Sequence, residues 1–151
     1  AHDAGVDDDP VGAVALGCKK PFNHFKLIDA FCTEDGPTDQ LSQALAAAHG
    51  KPVLVEFYAD WCSSCVVWKN TVFNRNDVQQ ALTPLILLQV DASQITPAVQ
   101  AQLDHYGLVG LPALLAYDRQ GQEKSALRLL GEMPAEQFIQ WVEQTALPAL
   151  N

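Results

Sequence analysis

The sequence predicts an α/β fold in which helices cover both faces of a central mixed sheet. Short apolar runs alternate with segments of helical periodicity over most of the chain, as in parallel strands joined by helices. The last two predicted strands are joined by a turn, so they form a hairpin and make the sheet mixed. The chain has 151 residues, of which 48% are hydrophobic, and this is enough to bury one core.

The beginning of the chain is its least regular part. Residues 1–17 are small and acidic, so we expect an irregular lead-in or linker before a domain that spans residues 18–151. A short strand is expected within residues 21–28, followed by a turn at residues 34–37.

The next helix and strand lead to the most informative motif of the sequence. Thr38 is the expected N-cap of the helix, and Gly50 is its expected end. Residues 53–59 are almost all apolar, as in a central strand covered on both faces. A short polar break follows, and another helix is expected from Cys62 to about Thr71.

The second half of the chain continues the alternation of strands and helices. Thr96 followed by Pro97 is typical of a helix start, and that helix is expected to end near Tyr106. The other predicted elements are a short helix at residues 76–82, strands at residues 85–90 and 113–117, a turn at residues 118–121, an edge strand at residues 125–129, and a last helix that opens at Pro134 and has Phe138, Trp141, Val142 and Thr145 on one face.

The charge of the chain excludes one class of partner. The net charge is −9 and the nine Lys and Arg residues are scattered, whereas nucleic-acid binding needs clustered basic residues. We therefore expect no nucleic-acid partner. No apolar stretch approaches the ~20 residues of a membrane-spanning helix, so we expect this domain not to lie in the membrane. The acidic first ten residues are also unlike the basic start of a signal peptide.

Cys62 and Cys65 form a Cys-x-x-Cys motif that follows a predicted strand and opens a predicted helix. Backbone N–H groups and the helix dipole favour the thiolate form of a cysteine at a helix N-terminus. We therefore predict that Cys62, the more exposed of the two, attacks as a thiolate and that Cys65 closes the intramolecular disulfide. The motif in this position indicates a redox-active dithiol.

A zinc or copper half-site is the alternative interpretation of this motif. Zinc needs four ligands, and the four histidines show no ligand spacing. We therefore expect neither a metal nor another cofactor.

Glu56 is an acid within the apolar strand that precedes the motif. Because burial raises the pKa of a carboxyl group, we predict that Glu56 accepts the proton of Cys65 during disulfide exchange. The alternative is an acid at the strand end whose side chain reaches solvent. Asp60 is expected to be a solvated loop acid whose charge lies near Cys62 and opposes thiolate formation.

Trp61 and Pro112 are two further candidates near the motif. Trp61 covers the sulfur or presents an apolar face to a partner, or else it packs in the core. A cis bond between Leu111 and Pro112 would place a backbone edge beside the disulfide, although trans is the usual state of such bonds.

Cys18 and Cys32 form a second possible disulfide pair. A bridge between them would close a loop of about 15 residues and contribute roughly 3 kcal/mol in the chain-entropy description. It would also indicate an oxidising compartment. The alternative is two unpaired thiols.

The chain resembles the thioredoxin family, and within it the C-terminal periplasmic domains of bacterial transmembrane thiol:disulfide interchange proteins. The resemblance covers about residues 38–145. The matching stretches are Gly50-Lys51-Pro52-Val53, Tyr58-Ala59-Asp60-Trp61-Cys62, Cys65, Leu87-Leu88-Gln89, Gly110-Leu111-Pro112 and Gly121-Gln122-Glu123.

This resemblance implies a thioredoxin fold with Pro112 in the cis form and Glu56 as the buried acid of the active site. It implies that Cys62 takes electrons from a membrane-embedded domain and passes them to an N-terminal periplasmic domain of the same full-length protein. Downstream, that family reduces disulfide isomerases and the thioredoxin of cytochrome c maturation. We accordingly expect a periplasmic, monomeric domain of an inner-membrane protein, which contacts its partners through Trp61 and the backbone around Leu111.

Two positions depart from the pattern of that family. Its members usually have Lys directly after the second cysteine and an acid three residues later, whereas Val66 and Lys69 stand there in this chain. Lys69 lies two turns after Cys62 on the same helical face. We predict that the positive charge of Lys69 lowers the pKa of Cys62 relative to that in relatives with an acid at this position.

An oxidant or disulfide isomerase of the same fold is the main alternative function. Ser63 and Ser64 stand between the cysteines, in place of the histidine that stabilises the reduced form of strong oxidants, and this favours a reductant. A metal-binding or copper-delivery module is the alternative from a different class, and equilibrium dialysis of the reduced protein with Cu(I) or Zn(II) would detect it.

Overall fold

The computed structural model describes residues 26–28, 45–46, 48 and 50–151. The predicted lead-in, the turn at residues 34–37 and the N-cap Thr38 lie outside the described residues. Leu45 and Ala46 are helical, in agreement with the helix predicted there.

Five strands form one mixed sheet with the spatial order β1-β3-β2-β4-β5. The central strand β2 runs parallel to β3 and antiparallel to β4. At the edges, β1 is parallel to β3 and β5 is antiparallel to β4. The strands are β1 (Lys26–Ile28), β2 (Val53–Tyr58), β3 (Ile86–Asp91), β4 (Ala113–Tyr117) and β5 (Leu129–Leu130). The predicted mixed α/β sheet is thus confirmed.

Helices follow the strands at the predicted places. The described α-helices are α1 (Ser63–Trp68), α2 (Asn76–Ala81), α3 (Pro97–His105), α4 (Ala135–Trp141) and α5 (Leu147–Leu150). π-helical turns continue α1 and α4, at Lys69–Phe73 and Val142–Ala146 respectively. The start of α3 is as predicted, because the Thr96 hydroxyl accepts a hydrogen bond from the Val99 N–H at 3.2 Å.

A hydrophobic core lies on each face of the sheet, because side chains of β2 alternate between the two faces. On one face Leu54 belongs to a cluster with Trp68 of α1 and Phe138 of α4. On the opposite face Val55 belongs to a cluster with Leu103 of α3. The side chains of residues 54, 56 and 58 therefore face α1, the helix that begins after Cys62.

The predicted edge strand at residues 125–129 is present, but it is shorter and begins later than expected. Residues Ser125–Leu127 form a 3₁₀ turn, and the strand that follows is only Leu129–Leu130. The turn is held by the Arg128 guanidinium, which donates hydrogen bonds of 2.6 and 2.9 Å to the Glu123 carboxylate. Glu123 and Arg128 are five residues apart in the sequence, and an extended strand would hold them too far apart for this contact.

The predicted inner face of the last helix is only partly right. Phe138 and Val142 are buried as predicted, but Thr145 is exposed and Ala146 is buried instead. The π-helical turn at Val142–Ala146 has a longer repeat than an α-helix, and it moves the buried position one residue further along.

Candidate active site

Cys62 and Cys65 form a disulfide at the beginning of α1, with their Cα atoms 5.2 Å apart. Cys62 is the N-cap residue of the helix, and its Sγ accepts a hydrogen bond from the Cys65 N–H at 3.1 Å. Cys62 retains 8% of its surface, whereas Cys65 has none. Of the two cysteines, only Cys62 therefore offers any surface to an incoming thiolate.

Glu56 lies in β2 on the sheet face that α1 covers, and it is completely buried. Its Oε1 accepts a hydrogen bond of 3.1 Å from the side-chain nitrogen of Gln89, whereas its buried Oε2 has no hydrogen-bond partner. Burial raises the pKa of Glu56 to about 8, although the Gln89 hydrogen bond and the charge of Lys69 act in the opposite direction. The alternative in which Glu56 reaches solvent is thereby excluded.

Lys69 and Tyr58 lie close to Glu56. The Lys69 ammonium is 5.8 Å from the centre of the Tyr58 ring, within the range of a cation–π contact. The Tyr58 hydroxyl donates a hydrogen bond of 2.8 Å to Asp60. Burial raises the pKa of Tyr58, and the charges of Asp91 and Glu56 add to this effect. Lys69 thus brings a positive charge to the Tyr58 ring and close enough to Glu56 to act on its pKa.

Trp61 is 60% exposed, so the alternative in which it packs in the core is wrong. Its indole N–H nevertheless donates a hydrogen bond of 2.9 Å to the Ser93 carbonyl. The backbone N–H of the neighbouring Asp60 donates to the Ser93 hydroxyl, also at 2.9 Å. Two hydrogen bonds therefore attach the loop before Cys62 to the loop that follows β3.

The Leu111–Pro112 peptide bond is cis, as the family resemblance implies. Pro112 directly precedes β4, the antiparallel neighbour of the strand that leads to the disulfide. Leu111 is half-buried and packs against the cluster of Tyr58, Ala59 and the two cysteines. This loop therefore lies beside the disulfide.

Gln89 and Ser93 were missed as site residues by the sequence analysis. Gln89 could have been found because it is a polar residue in an otherwise apolar strand. Paired residues of neighbouring parallel strands project from the same face of the sheet, so Gln89 was a candidate partner of Glu56. The sequence indicates Ser93 less clearly. It follows β3, which is parallel to β2, so the loops after these two strands lie at the same edge of the sheet. The hydrogen bonds of both residues depend on a register that only the structure supplies.

Cys18 and Cys32 lie outside the described residues. Among the residues that the structure describes, no group of three or more His, Cys, Asp or Glu side chains is arranged to hold a metal ion. Within this same part of the chain, no helix has both the length and the apolar character to span a membrane.

Comparison with known proteins identifies relatives of the chain. A family model described as "Thioredoxin-like domain" matches residues 40–146. The "Thiol:disulfide interchange protein DsbD" of Klebsiella pneumoniae is 44% identical over 99 residues, which cover 66% of this chain and 17% of that protein. The protein of the same name from Escherichia coli K12 is 41% identical over 106 residues, which cover 70% of this chain and 19% of that protein. The chain thus spans less than a fifth of the length of these curated relatives.

A solved structure matches the chain as one domain. The C-terminal domain of Neisseria meningitidis DsbD in its oxidised form superposes with a TM-score of 0.60 and 36% sequence identity, over 71% of this chain and 94% of that domain. This match and the family model confirm the predicted thioredoxin fold. They also confirm the resemblance to thiol:disulfide interchange proteins that the sequence indicates.

Proposed function

This chain belongs to the thioredoxin-like family and, within it, to the C-terminal domains of DsbD proteins, and on this basis we propose that it is a protein-disulfide reductase domain that relays electrons through Cys62 and Cys65. The observation that carries the proposal is the disulfide at the start of α1, of which Cys62 alone is accessible. A relay needs this asymmetry, because one sulfur must meet both the donor and the acceptor while the other stays within the domain.

The proposed domain is reduced in two exchange steps. A thiolate of the electron donor attacks Cys62, the bond between Cys62 and Cys65 breaks, and Cys65 leaves with the electron pair and takes up a proton. The second thiolate of the donor then attacks the mixed disulfide, so that the donor leaves oxidised and the domain has two reduced cysteines.

The domain then passes the electrons on by the reverse chemistry. The Cys62 thiolate attacks a disulfide of the acceptor and forms a mixed disulfide with it. Cys65 loses its proton, attacks Cys62 and releases the reduced acceptor. The domain thereby returns to the disulfide form found in this structure.

Glu56 is the proposed proton carrier for Cys65 in both directions. It is buried on the sheet face covered by the helix of Cys65, where it offers a titratable group in place of water. A carboxyl group with a pKa near the working pH serves both as acid and as base. Glu56 gives its proton to Cys65 when the disulfide opens and takes it back when the disulfide closes.

The proposed partners follow from the relatives, in which this domain is one part of a longer protein. We propose a membrane-embedded domain as electron donor and an N-terminal periplasmic domain as acceptor, with the domain located in the periplasm. Trp61 and the loop at Leu111 would contact these partners, since they flank Cys62 and Trp61 is exposed. Downstream acceptors of the same pathway would be periplasmic thiol proteins, including those of cytochrome c maturation.

Reduction of insulin disulfides with dithiothreitol as electron source tests the reductase assignment. We expect activity from the parent protein and from the Cys18→Ser, Cys32→Ser double variant, and none above background from Cys62→Ser. Reduced Cys65→Ser that has been freed of dithiothreitol should form a lasting mixed disulfide with insulin at Cys62, because the resolving thiol is absent. Undiminished activity of Cys62→Ser would show that the proposed role of Cys62 is wrong.

A further inference from the structure

We propose that Gln89 is a positioning residue that holds Oε1 of Glu56 and thereby makes Oε2 the oxygen that exchanges a proton with Cys65. The inference rests on the proposed function, in which Glu56 is the proton carrier for Cys65. It adds a residue to that function and assigns the proton to one of two chemically equivalent atoms.

The sheet register brings the two side chains together. Glu56 of β2 and Gln89 of β3 are paired in parallel strands, so their side chains project from the same face of the sheet at the same height. Gln89 retains only 2% of its surface and Glu56 none. Water therefore does not compete for the 3.1 Å hydrogen bond between the Gln89 amide and Oε1 of Glu56.

The direction of this hydrogen bond decides which oxygen carries the proton. The Gln89 side-chain nitrogen is a donor, so the oxygen that it faces must offer a lone pair. If Oε1 carried the proton, two donors would point at each other in a buried site. In the neutral form of Glu56 the proton therefore resides on Oε2.

Oε2 of Glu56 is free to exchange this proton because no other group of the described residues forms a hydrogen bond with it. In the part of the chain that the structure describes, Oε2 of Glu56 and Nε1 of Trp68 are the only buried side-chain polar atoms without a hydrogen-bond partner. The indole nitrogen of Trp68 is a donor that does not titrate near neutral pH. Oε2 is thus the unpaired buried atom that can give and take a proton, and it lies on the face covered by the helix of Cys65.

The hydrogen bond from Gln89 also stabilises the Glu56 carboxylate that forms once the proton has been transferred. When the bond between Cys62 and Cys65 opens, Cys65 receives the electron pair and the proton of Oε2, and Glu56 becomes a carboxylate. The Gln89 amide then donates to an anion, and such a charge-assisted hydrogen bond is stronger than the one to the neutral acid. Closure of the disulfide returns the proton from Cys65 to Oε2.

Few charged groups face Glu56 in the described structure. The charge of Lys69 reaches it from the helix side and lowers its pKa. Tyr58 is two residues away on the same strand, and Asp91 acts on Tyr58 from β3. The position paired with Glu56 on β4 is the apolar Leu114. A substitution of Gln89 by an apolar residue therefore removes a hydrogen bond to Glu56 without changing the charge around it.

The pH profile for reduction of the disulfide by dithiothreitol tests the proposal. The rate is divided by the concentration of dithiothreitol thiolate, so that the remaining pH dependence reports the protein. Gln89→Leu removes the donor, and Gln89→Met does so with a side chain of nearly equal length. Gln102→Leu is the matched control, because Gln102 is also 2% exposed but lies in α3 on the opposite side of the sheet.

We expect Gln89→Leu and Gln89→Met to lower the normalised rate about tenfold and to move the midpoint of its alkaline fall upward by about one pH unit. The shift is upward because loss of the donor removes an interaction that favours the carboxylate. Gln102→Leu should keep the midpoint of the parent protein. In a Glu56→Gln background, where no titrating carboxyl remains, Gln89→Leu should have no further effect.

Three results would overturn the inference. An equal slowing by Gln89→Leu in the parent and Glu56→Gln backgrounds would show a general structural role. A normal profile for both Gln89 variants, beside a slow Glu56→Gln variant, would leave the role of Glu56 intact and refute that of Gln89. If Glu56→Gln itself reacted like the parent, the proton role of Glu56 would be wrong, and the inference would fail with it.

Discussion

Glu56 differs from exposed carboxyl groups of the same chain because of its surroundings. Arg75 donates hydrogen bonds to Asp77 and Glu136 and lowers the pKa of both. Burial instead raises the pKa of Glu56 to about 8. At neutral pH Glu56 therefore mostly holds its proton, and in the proposed reaction it begins as the donor to Cys65.

The buried acid should make stability depend on pH. The folded protein keeps a proton at Glu56 that the unfolded chain loses above pH 4.5, so the stability that this group contributes falls as pH rises from 4.5 to about 8. The slope should approach 1.4 kcal/mol per pH unit, about the value for one proton. Urea denaturation of the oxidised protein across this range measures it.

Glu56→Gln should remove this slope and be more stable than the parent protein at pH 8, because a neutral amide replaces a group that must ionise there. Glu143→Gln is the control, because Glu143 is exposed in the π-helical turn that follows α4, and this variant should keep the parent slope. An unchanged slope in Glu56→Gln would show that Glu56 does not hold a proton in the folded protein.

Lys69 is one of the two residues, with Val66, that are expected to depart from the family pattern. Its ammonium lies against the Tyr58 ring, and its charge favours the ionised form of Glu56. Lys69→Glu should raise the pKa of Cys62 in the reduced protein by roughly one unit, because it replaces an attractive charge with a repulsive one. A titration of thiolate ultraviolet absorbance measures this change.

Lys51→Glu is the matched control for this charge reversal. Lys51 is exposed and precedes β2, at the end of the strand opposite to the cysteines. Its reversal should leave the thiolate titration nearly unchanged. Equal curves for Lys69→Glu and Lys51→Glu would mean that Lys69 does not act on Cys62.

At the scale of elements, local signals predicted the central strands and helix starts. The buried run at β2 and the Thr96-Pro97 start of α3 lie where the sequence places them, because burial and capping depend on neighbouring residues. The edge strand after β4 was predicted too early and too long. Its 3₁₀ turn depends on the side-chain pairing of Arg128 with Glu123, which residue periodicity does not reveal.

The cap of α3 allows a direct measurement at this scale. Thr96→Ala should lower the free energy of unfolding by about 1 kcal/mol, because the Val99 N–H loses its side-chain acceptor. Thr96→Ser keeps a hydroxyl at the same position and should lose much less. If urea denaturation gave the same loss for both variants, the hydroxyl would not be the source of the stabilisation.

At the scale of the whole molecule, the sheet assembles the site from three separate parts of the chain. β2 and α1 supply Glu56 and the cysteines, β3 supplies Gln89, and the turn before β4 supplies the cis Pro112. The sequence predicted the cysteines and the acid because their types and local placement are distinctive. It did not predict the bond between Glu56 and Gln89, since that contact depends on the register of two strands 33 residues apart.

The direction of electron flow is likewise a property of the whole domain, because it depends on the relative stability of the folded oxidised and reduced forms. The reductase assignment requires that the reduced form readily gives up its electrons. Ser63 and Ser64 between the cysteines favour this direction, since neither side chain adds a positive charge beside the thiolate.

The reduction potential of the Cys62–Cys65 couple tests the assignment most directly. It is best measured at equilibrium with a dithiothreitol buffer, in a variant with Cys18→Ser and Cys32→Ser, so that only one couple titrates. We expect a reducing couple, nearer to the potential of thioredoxin at about −270 mV than to that of a strong oxidant at about −120 mV. A value near −120 mV would mean that the domain introduces disulfides, and it would contradict the proposed relay.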